Sequence, residues 1–512
     1  MRKQSLIKGS LVLGVAGIIA KFLGLFFRWP LIMLIGDEGI GFYQMSYPLL
    51  MFFVAIASGV PVAISKIVSE NNAVGDIEGS FKVVKSSTHL MLLLGTVTSV
   101  ILFVFAKPII HLLKWDSKAY YSLIGISFAP LVLSIMTIFR GFFQGLQNMT
   151  PSAVSQVLEQ FGRVICGVGL AVLLLPMGIE FAAGGAAFGA AAGGILGGSY
   201  LFYKYRKVKK ECGIKKIKTS PEILDKILKI AAPISLAATI STVMSLIDSI
   251  CIPQKLLEAG YTSQQSTILY AQLTGKAAVI VNIPMTLSIA LCASLVPIIA
   301  ESYILNKKRE VNNKVELAIK ISGVVAIPCM IGIFILAEPI MKLVFQGRFE
   351  GVEILRYMGI TIPFIILTQT TTSILQGVGK YVLPVITLVI GCVIKLGLTL
   401  VLVPNPKINI YGAVIASIVA YIVVAIMNII ILKFVLKVRT RVHNNLIKPV
   451  YASIGMGVCV FLSYKFMFLY TGSNGISCLI SIFLGIIIYI TLIMLMKVFK
   501  VSEVMDRLPR FK

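Results

Sequence analysis

KFLGLFFRWPLIMLIGDEGIGFYQMSY, residues Lys21 to Tyr47, is the second half of an apolar helix followed by a short turn. Two cations, Lys21 and Arg28, interrupt a segment otherwise apolar enough to cross a bilayer. Their seven-residue spacing is close to two helical turns, which puts both on one stripe with Gly17 and Gly24 nearby. A charge near mid-bilayer costs roughly 2.5–3.5 kcal/mol on insertion scales when it faces lipid. The stripe is therefore expected to face protein or a water-filled cavity, with the rest of the chain as its wall.

The composition agrees with a membrane setting. Of 512 residues, 57% are hydrophobic and 13% charged, and the mean hydropathy is +0.94, far outside soluble values. The apolar runs have the length of spanning helices and lack the period-two alternation of barrel strands. An all-α polytopic protein follows, with fourteen spans near residues 7–35, 41–68, 84–106, 119–146, 151–177, 182–203, 230–253, 267–299, 318–337, 353–378, 382–403, 411–434, 449–470 and 476–497.

A net charge of +26 would suggest nucleic acid in a soluble protein, but its placement speaks against that. With both termini cytoplasmic, about 32 of the 47 Lys and Arg fall on cytoplasmic segments, about 8 outside and about 7 within spans, as the positive-inside rule requires. The expected location is the cytoplasmic membrane. The largest cluster, Lys204 to Lys229, reads as a topology anchor against anionic headgroups. Eight scattered cysteines without a C-x-x-C pair give no disulfide framework or zinc site. Arg2, Lys3 and Lys8 precede an apolar run as in a signal peptide, yet no small-residue cleavage site ends it, so it reads as a retained first span.

Phrases recur about 230 residues apart and in the same order. Trp29-Pro30 answers Ile252-Pro253, and Ser58-Gly-Val-Pro61 answers Ser294-Leu-Val-Pro297. Ala106-Lys-Pro-Ile-Ile-His-Leu112 answers Ala337-Glu-Pro-Ile-Met-Lys-Leu343. Phe143-Gln-Gly145 answers Leu375-Gln-Gly377, and Gly185-Ala-Ala answers Gly412-Ala-Val. Six spans per repeat is an even number, so both copies insert in the same orientation, the parallel-repeat arrangement of transporters. The expected organisation is a six-helix lobe over 1–206, a basic cytoplasmic linker over 207–229, a second pseudo-symmetric lobe over 230–436, and helices thirteen and fourteen with a cytoplasmic tail over 437–512. Two such lobes imply a cavity that opens alternately to either side as they rock.

The spans hold Lys21, Arg28, Arg140, Arg163, Lys276, Lys395 and Lys465 against Glu159 and Asp248. Glu159 lies one turn before Arg163, which predicts a salt bridge within span five. Arg140, one turn before Gln144, reads either as a group at the inner mouth or as one snorkelling to headgroups. Lys395 occupies the repeat position of Arg163 and has two readings, snorkelling or reaching Asp248. Asn282 near Lys276, and Gln376 in span ten, extend polar stripes that more often glue helices together than bind a ligand. Lys21, Arg28 and Lys276 are the candidate substrate-binding residues, because spans one, two, seven and eight would line the lobe interface. A cavity with net positive charge selects an anion, and arginines suit phosphate or diphosphate through bidentate hydrogen bonds. Neither a metal nor a cofactor site is expected.

Lys21-Phe-Leu-Gly-Leu-Phe-Phe-Arg28, Gly36-Asp-Glu-Gly-Ile-Gly-Phe-Tyr43, Tyr47-Pro48 and Ser58-Gly-Val-Pro-Val-Ala-Ile-Ser-Lys66 resemble the stage V sporulation protein B group of polysaccharide-biosynthesis-type exporters. That group lies in the multidrug/oligosaccharidyl-lipid/polysaccharide exporter superfamily, which also contains the lipid II flippases. The resemblance covers nearly the whole chain. It implies a flippase for an undecaprenyl-diphosphate-linked sugar, lipid II for spore-cortex peptidoglycan, with membrane lipids and cell-wall synthesis enzymes as further partners and helices thirteen and fourteen as a groove for the prenyl tail. Lys21 and Arg28 match the basic residues of the flippases' first span with one extra residue between them, and Lys276 is an approximate counterpart of their span-eight arginine. The arginine pair of their span two has no counterpart here, where Phe52-Phe-Val-Ala55 stands. A small-molecule antiporter on the same fold would want buried acids facing the cavity. A non-transporting scaffold for cortex synthesis would need no basic residues in mid-membrane. A membrane enzyme would need clustered carboxylates or histidines near the interface, whereas His89, His111 and His443 are far apart.

Overall fold

A computed structural model of the chain describes residues 6–214, 220–436 and 442–498. Arg2, Lys3, the centre of the basic linker at 215–219 and the tail from 499 lie outside the described residues. Among the described residues the regular structure is entirely helical. Thirteen helices are long and apolar enough to cross a membrane, and the first of them contains two of the fourteen expected spans.

That first segment, α1 (Leu6–Ala57), is broken at Gly36, where φ is 67° and ψ −173°, a conformation that side-chain-bearing residues avoid. The two halves fold back on each other, since the rings of Phe27 and Tyr43 meet at 5.9 Å, whereas sixteen residues of straight helix would separate them by about 24 Å. A single glycine thus makes the turn expected to need several residues. The second half continues through a break at Ser58 into α2 (Gly59–Ala73), and α3 (Ile77–Val104) follows the Gly75 turn. Then come α4 (Ala106–Leu112), α5 (Ala119–Ser127), α6 (Ala129–Gly145), α7 (Met149–Leu174), α8 (Ile179–Glu211), α9 (Pro221–Glu258) and α10 (Ser263–Ala271). A π-helical turn, Gln272–Ala277, leads into α11 (Ala278–Ile304). The chain ends with α12 (Lys308–Val344), α13 (Val352–Met358), α14 (Ile362–Gly377), α15 (Val382–Leu402), α16 (Ile410–Leu436), α17 (Val442–Thr471) and α18 (Asn474–Leu495).

Contacts divide the chain into two compact units, Met1–Ala271 with Val403–Lys407, and Gln272–Leu402 with Ile408–Lys512. This boundary differs from that of the sequence repeat, which falls at the basic linker. In the first unit, α9 is tied to the helices before it at several levels. The Trp115 Nε1–H donates to the Ser249 carbonyl at 2.9 Å, the Ser249 hydroxyl to the Met45 carbonyl at 2.7 Å, and the Gly59 amide to Ser235 Oγ at 3.0 Å. Gly59 has no room for a Cβ, which would stand 2.1 Å from the Ala231 carbonyl oxygen.

Lipid tails give helices little hydrophobic reason to associate, so close packing and polar contacts carry the assembly. Gly162, Gly167, Gly189 and Gly193 let α7 and α8 approach backbone to backbone, and a Cβ on Gly193 would sit 2.2 Å from the Glu159 carbonyl oxygen. In the second unit the equivalent role falls to a buried polar knot. Asn428 of α16 accepts from Thr387 of α15 at 2.7 Å and donates to Thr371 and Thr372 of α14 at 3.2 and 3.1 Å. The α17–α18 hairpin packs on α12 through Leu336, Met456, Val460 and Ile493, and the Tyr489 hydroxyl donates to the Val324 carbonyl at 2.8 Å.

Gly193→Val should destabilise the α7–α8 crossing by about 1–3 kcal/mol, lowering the thermal unfolding midpoint in detergent, whereas Gly169→Ala, with nothing within 4 Å of its Cβ position, should leave it unchanged. Asn428→Leu should cost about 1 kcal/mol by the same measurement, the scale of polar contacts between membrane helices.

A basic and aromatic candidate binding site

Among the in-span charges of the first unit, the strongest constraint is an ion pair across helices. Arg140 of α6 donates from Nη2 to Glu159 Oε2 on α7 at 2.9 Å and from Nε to Ser155 Oγ at 3.0 Å. Both charged side chains are less than one-fifth exposed. The salt bridge expected between Glu159 and Arg163 is therefore not formed, and Arg140 does not snorkel. One helix turn brings Glu159 and Arg163 onto the same face, but Arg140 arrives from the facing helix with two donors already aligned and takes the carboxylate.

Arg163 turns to aromatic partners instead. Its guanidinium lies over the rings of Phe27 at 5.6 Å and Tyr47 at 5.1 Å, and Nη2 donates to the Tyr43 hydroxyl at a long 3.4 Å. Its Nε is buried without a hydrogen-bond partner. Tyr43 and Tyr47, one turn apart, stack at 5.6 Å. Cation–π contact offsets part of the desolvation of a buried guanidinium but leaves its charge in place.

Arg28 joins this group from the first half of α1. It is half-buried and within electrostatic reach of Tyr43, Tyr47, Tyr270 and Arg163. A Cβ on Gly24, one turn earlier, would stand 3.9 Å from the Gln160 side chain, so α1 looks onto α7 at this level, whereas one at Gly17 would meet nothing within 4 Å. Arg163 lies about 21 Å along α7 from its start and Arg28 about 12 Å before the Gly36 bend, at 1.5 Å per residue. Both are well inside apolar helices. Lys21, two turns further from the bend, is exposed.

The other candidates lie elsewhere. Asp248 is half-buried on α9. Lys276, expected as a cavity group, is fully buried in the second unit. It donates to the Arg348 carbonyl at 2.7 Å, contacts Glu350 Oε2 at 3.4 Å, and lies 5.9 Å from the Phe345 ring centroid. It pins the 345–351 turn onto the π-helical segment, and that turn, some seventy residues on, gave no sign of itself in the local sequence. Lys395 is also buried, at 3% exposure, on the α15 face that carries Thr387, Gly391, Cys392 and Thr399, which removes snorkelling as its role. Asn282 and Gln376 are exposed.

Of the residues singled out from sequence, Arg28 and Arg163 thus lie within electrostatic reach of each other. Phe27, Tyr43 and Tyr47 complete the group and were not identified from sequence as site residues. The i, i+4 spacing of the tyrosines on the stretch facing Arg28 is the signal that could have found them.

A family described as "Polysaccharide biosynthesis protein" matches residues 6–303, and one described as "MatE" matches residues 233–401. Stage V sporulation protein B of Bacillus subtilis (strain 168) is 28% identical over 87% of this chain and 86% of its own. Lipid II flippase MurJ of the same organism is 30% identical over 84% of this chain and 83% of its own. Among solved structures, a lipid II flippase MurJ in an inward closed conformation superposes with a TM-score of 0.74 at 17% identity, covering 95% of this chain and 99% of that one, which is a likeness of fold. With a family match over more than half its length and a relative at 30% identity across most of both chains, the chain belongs to the polysaccharide biosynthesis protein family, membrane transporters of the multidrug/oligosaccharidyl-lipid/polysaccharide exporter superfamily.

Proposed function

We propose that this protein is a flippase for polyprenyl-diphosphate-linked sugars, with lipid II as the cargo and spore-cortex peptidoglycan as its use. The observation that carries the reading is Arg163 well inside an apolar helix, held by the Tyr43 hydroxyl and two aromatic rings while Arg140 takes Glu159, with Arg28 within electrostatic reach. Two guanidiniums in a low-dielectric setting repel each other and attract an anion, and a diphosphate presents charge and acceptors to both forks. The relatives named lipid II flippase and sporulation protein add support for this cargo and setting.

In the proposed cycle the diphosphate reaches Arg28 and Arg163 from the cytoplasmic side, with Lys21 as an outlying attractor along the same stripe, while the prenyl tail stays in lipid. The two sequence repeats then rock, and the headgroup is released on the far side. Both termini are cytoplasmic in this arrangement. Lys276 acts on the 345–351 turn and not on the headgroup. The antiporter reading draws on the MatE match, but a site for cationic drugs wants carboxylates, and the one carboxylate nearest Arg163 along α7 is engaged by Arg140.

Arg28→Ala should reduce headgroup translocation to near background in proteoliposomes carrying defined lipid-linked sugars, with membrane insertion unchanged. Full activity of this variant would refute the assignment. Wild-type protein should move no labelled organic cations under the same conditions; robust cation transport would favour the antiporter. Lys276→Gln should lower thermal stability by about 3 kcal/mol, because it leaves buried carbonyl partners unmet, while binding of a prenyl diphosphate stays within about twofold.

A further inference from the structure

A cavity of about 130 Å³ lies between the end of α1, the start of α2, and helices α3 and α6. All four belong to membrane-crossing segments, and Met91–Thr98 and Pro130–Thr137 bracket the centres of the third and fourth expected spans, so the cavity sits near mid-bilayer depth. Its lining is apolar apart from four hydroxyls. Three of these are spent within the protein: Ser58 donates to the Ala55 carbonyl at 2.7 Å, Thr98 to that of Leu94 at 2.7 Å, and Thr137 to that of Ser134 at 2.9 Å. A water held in such a place needs several polar partners, whereas an apolar cavity of roughly 150 Å³ stays dry and admits a benzene-sized molecule.

The surrounding helices are already in backbone contact beside this space. A Cβ on Gly95 of α3 would stand 2.8 Å from Leu131 Cα of α6, and one on Gly141 of α6 would stand 2.5 Å from the Pro61 carbonyl oxygen of α2. Drawing the helices together therefore does not close the cavity, and left empty it forfeits the contacts of its lining. It is partly open, and it is continuous with the outer apolar surface: Ile56 of the lining is 39% exposed, and Leu93 and Val97, next to the lining residues Leu94 and Thr98, are exposed. In a bilayer that surface is solvated by hydrocarbon chains, whose ends meet at this depth.

We propose that the cavity binds the terminal carbons of a phospholipid acyl chain, seated at the Ser58 break between α1 and α2. Such a site is independent of the cargo, because none of its lining residues belongs to the arginine–tyrosine group. An acyl chain is favoured over a prenyl tail because acyl chains surround these helices whether or not cargo is present.

The test uses the full chain in phosphatidylcholine vesicles that carry a diazirine either at the acyl-chain end or beside the ester, with adducts mapped by mass spectrometry after illumination. Met91 and Leu133 line the cavity and are buried, so they react only with a chain that has entered. The chain-end probe should label them at least about tenfold more than the ester-side probe, which lies at another depth. Ala57→Phe, which adds a ring of about the cavity's capacity, should remove these adducts and leave those on exposed Val97 unchanged. If that variant does not fold, Ala57→Leu should reduce them in the same direction. Labelling confined to exposed residues such as Val97 would overturn the site, as would adducts on Met91 that persist in whichever variant folds. Labelling of Met91 and Leu133 by a photoreactive farnesyl phosphate, with none from the acyl probe, would overturn the acyl chain as occupant in favour of a prenyl tail. Each of these results leaves the proposed function where it stands.

Discussion

The Arg140–Glu159 ion pair decides the electrostatics of the first unit. It joins α6 to α7 at 2.9 Å with both partners largely buried, where loss of one partner would strand a charge and cost several kcal/mol. Because the carboxylate hydrogen-bonds to Arg140, Arg163 one turn along the same helix makes its direct contacts elsewhere. Its partners are aromatic residues: the rings of Phe27 and Tyr47 and the Tyr43 hydroxyl. Aromatic faces tolerate a cation without cancelling it. A structural ion pair on α7 thus preserves a positive group one turn along the same face.

That site also depends on the bend at Gly36. Phe27 and Tyr43 come from opposite sides of it, and only the hairpin brings their rings within 5.9 Å. A bulkier residue at 36 would oppose φ of 67°, and moving the bend along the chain would slide one half of α1 past the other. Arg28 and the tyrosines would then lose their common depth. The glycine that separates the first two spans is therefore also the residue that sets the register of the arginine–tyrosine group.

The spans were legible because twenty apolar residues in a row have few other folded fates, and Lys21 and Arg28 stood out because charge is so costly there. The merged first segment differs from expectation only in turn length, since Gly36 alone suffices where a loop over 36–40 was expected. Partners chosen from other helices were not legible. Helical spacing identifies neighbours such as Glu159 and Arg163, but it is blind to Arg140, nineteen residues away on a facing helix, and to the carbonyl of Arg348 that holds Lys276. Tyr43 and Tyr47 carried no assigned role, since their i, i+4 spacing places two rings on one face without identifying the guanidinium they meet.

The glycines of α7 and α8 connect packing to this chemistry. Gly193 approaches the backbone between Glu159 and Arg163 so closely that its missing Cβ would stand 2.2 Å from one and 3.0 Å from the amide nitrogen of the other. The backbone that carries the ion-paired acid and the stacked arginine is thus pressed against a featureless surface of α8 and cannot rotate without a clash. Rotation of α7 by even a few tens of degrees would carry Glu159 off Arg140 and Arg163 off the rings together, since the two lie on one face. In a membrane, where no hydrophobic drive corrects such a slip, this close backbone contact is what holds neutralised and unneutralised charge apart on a single helix.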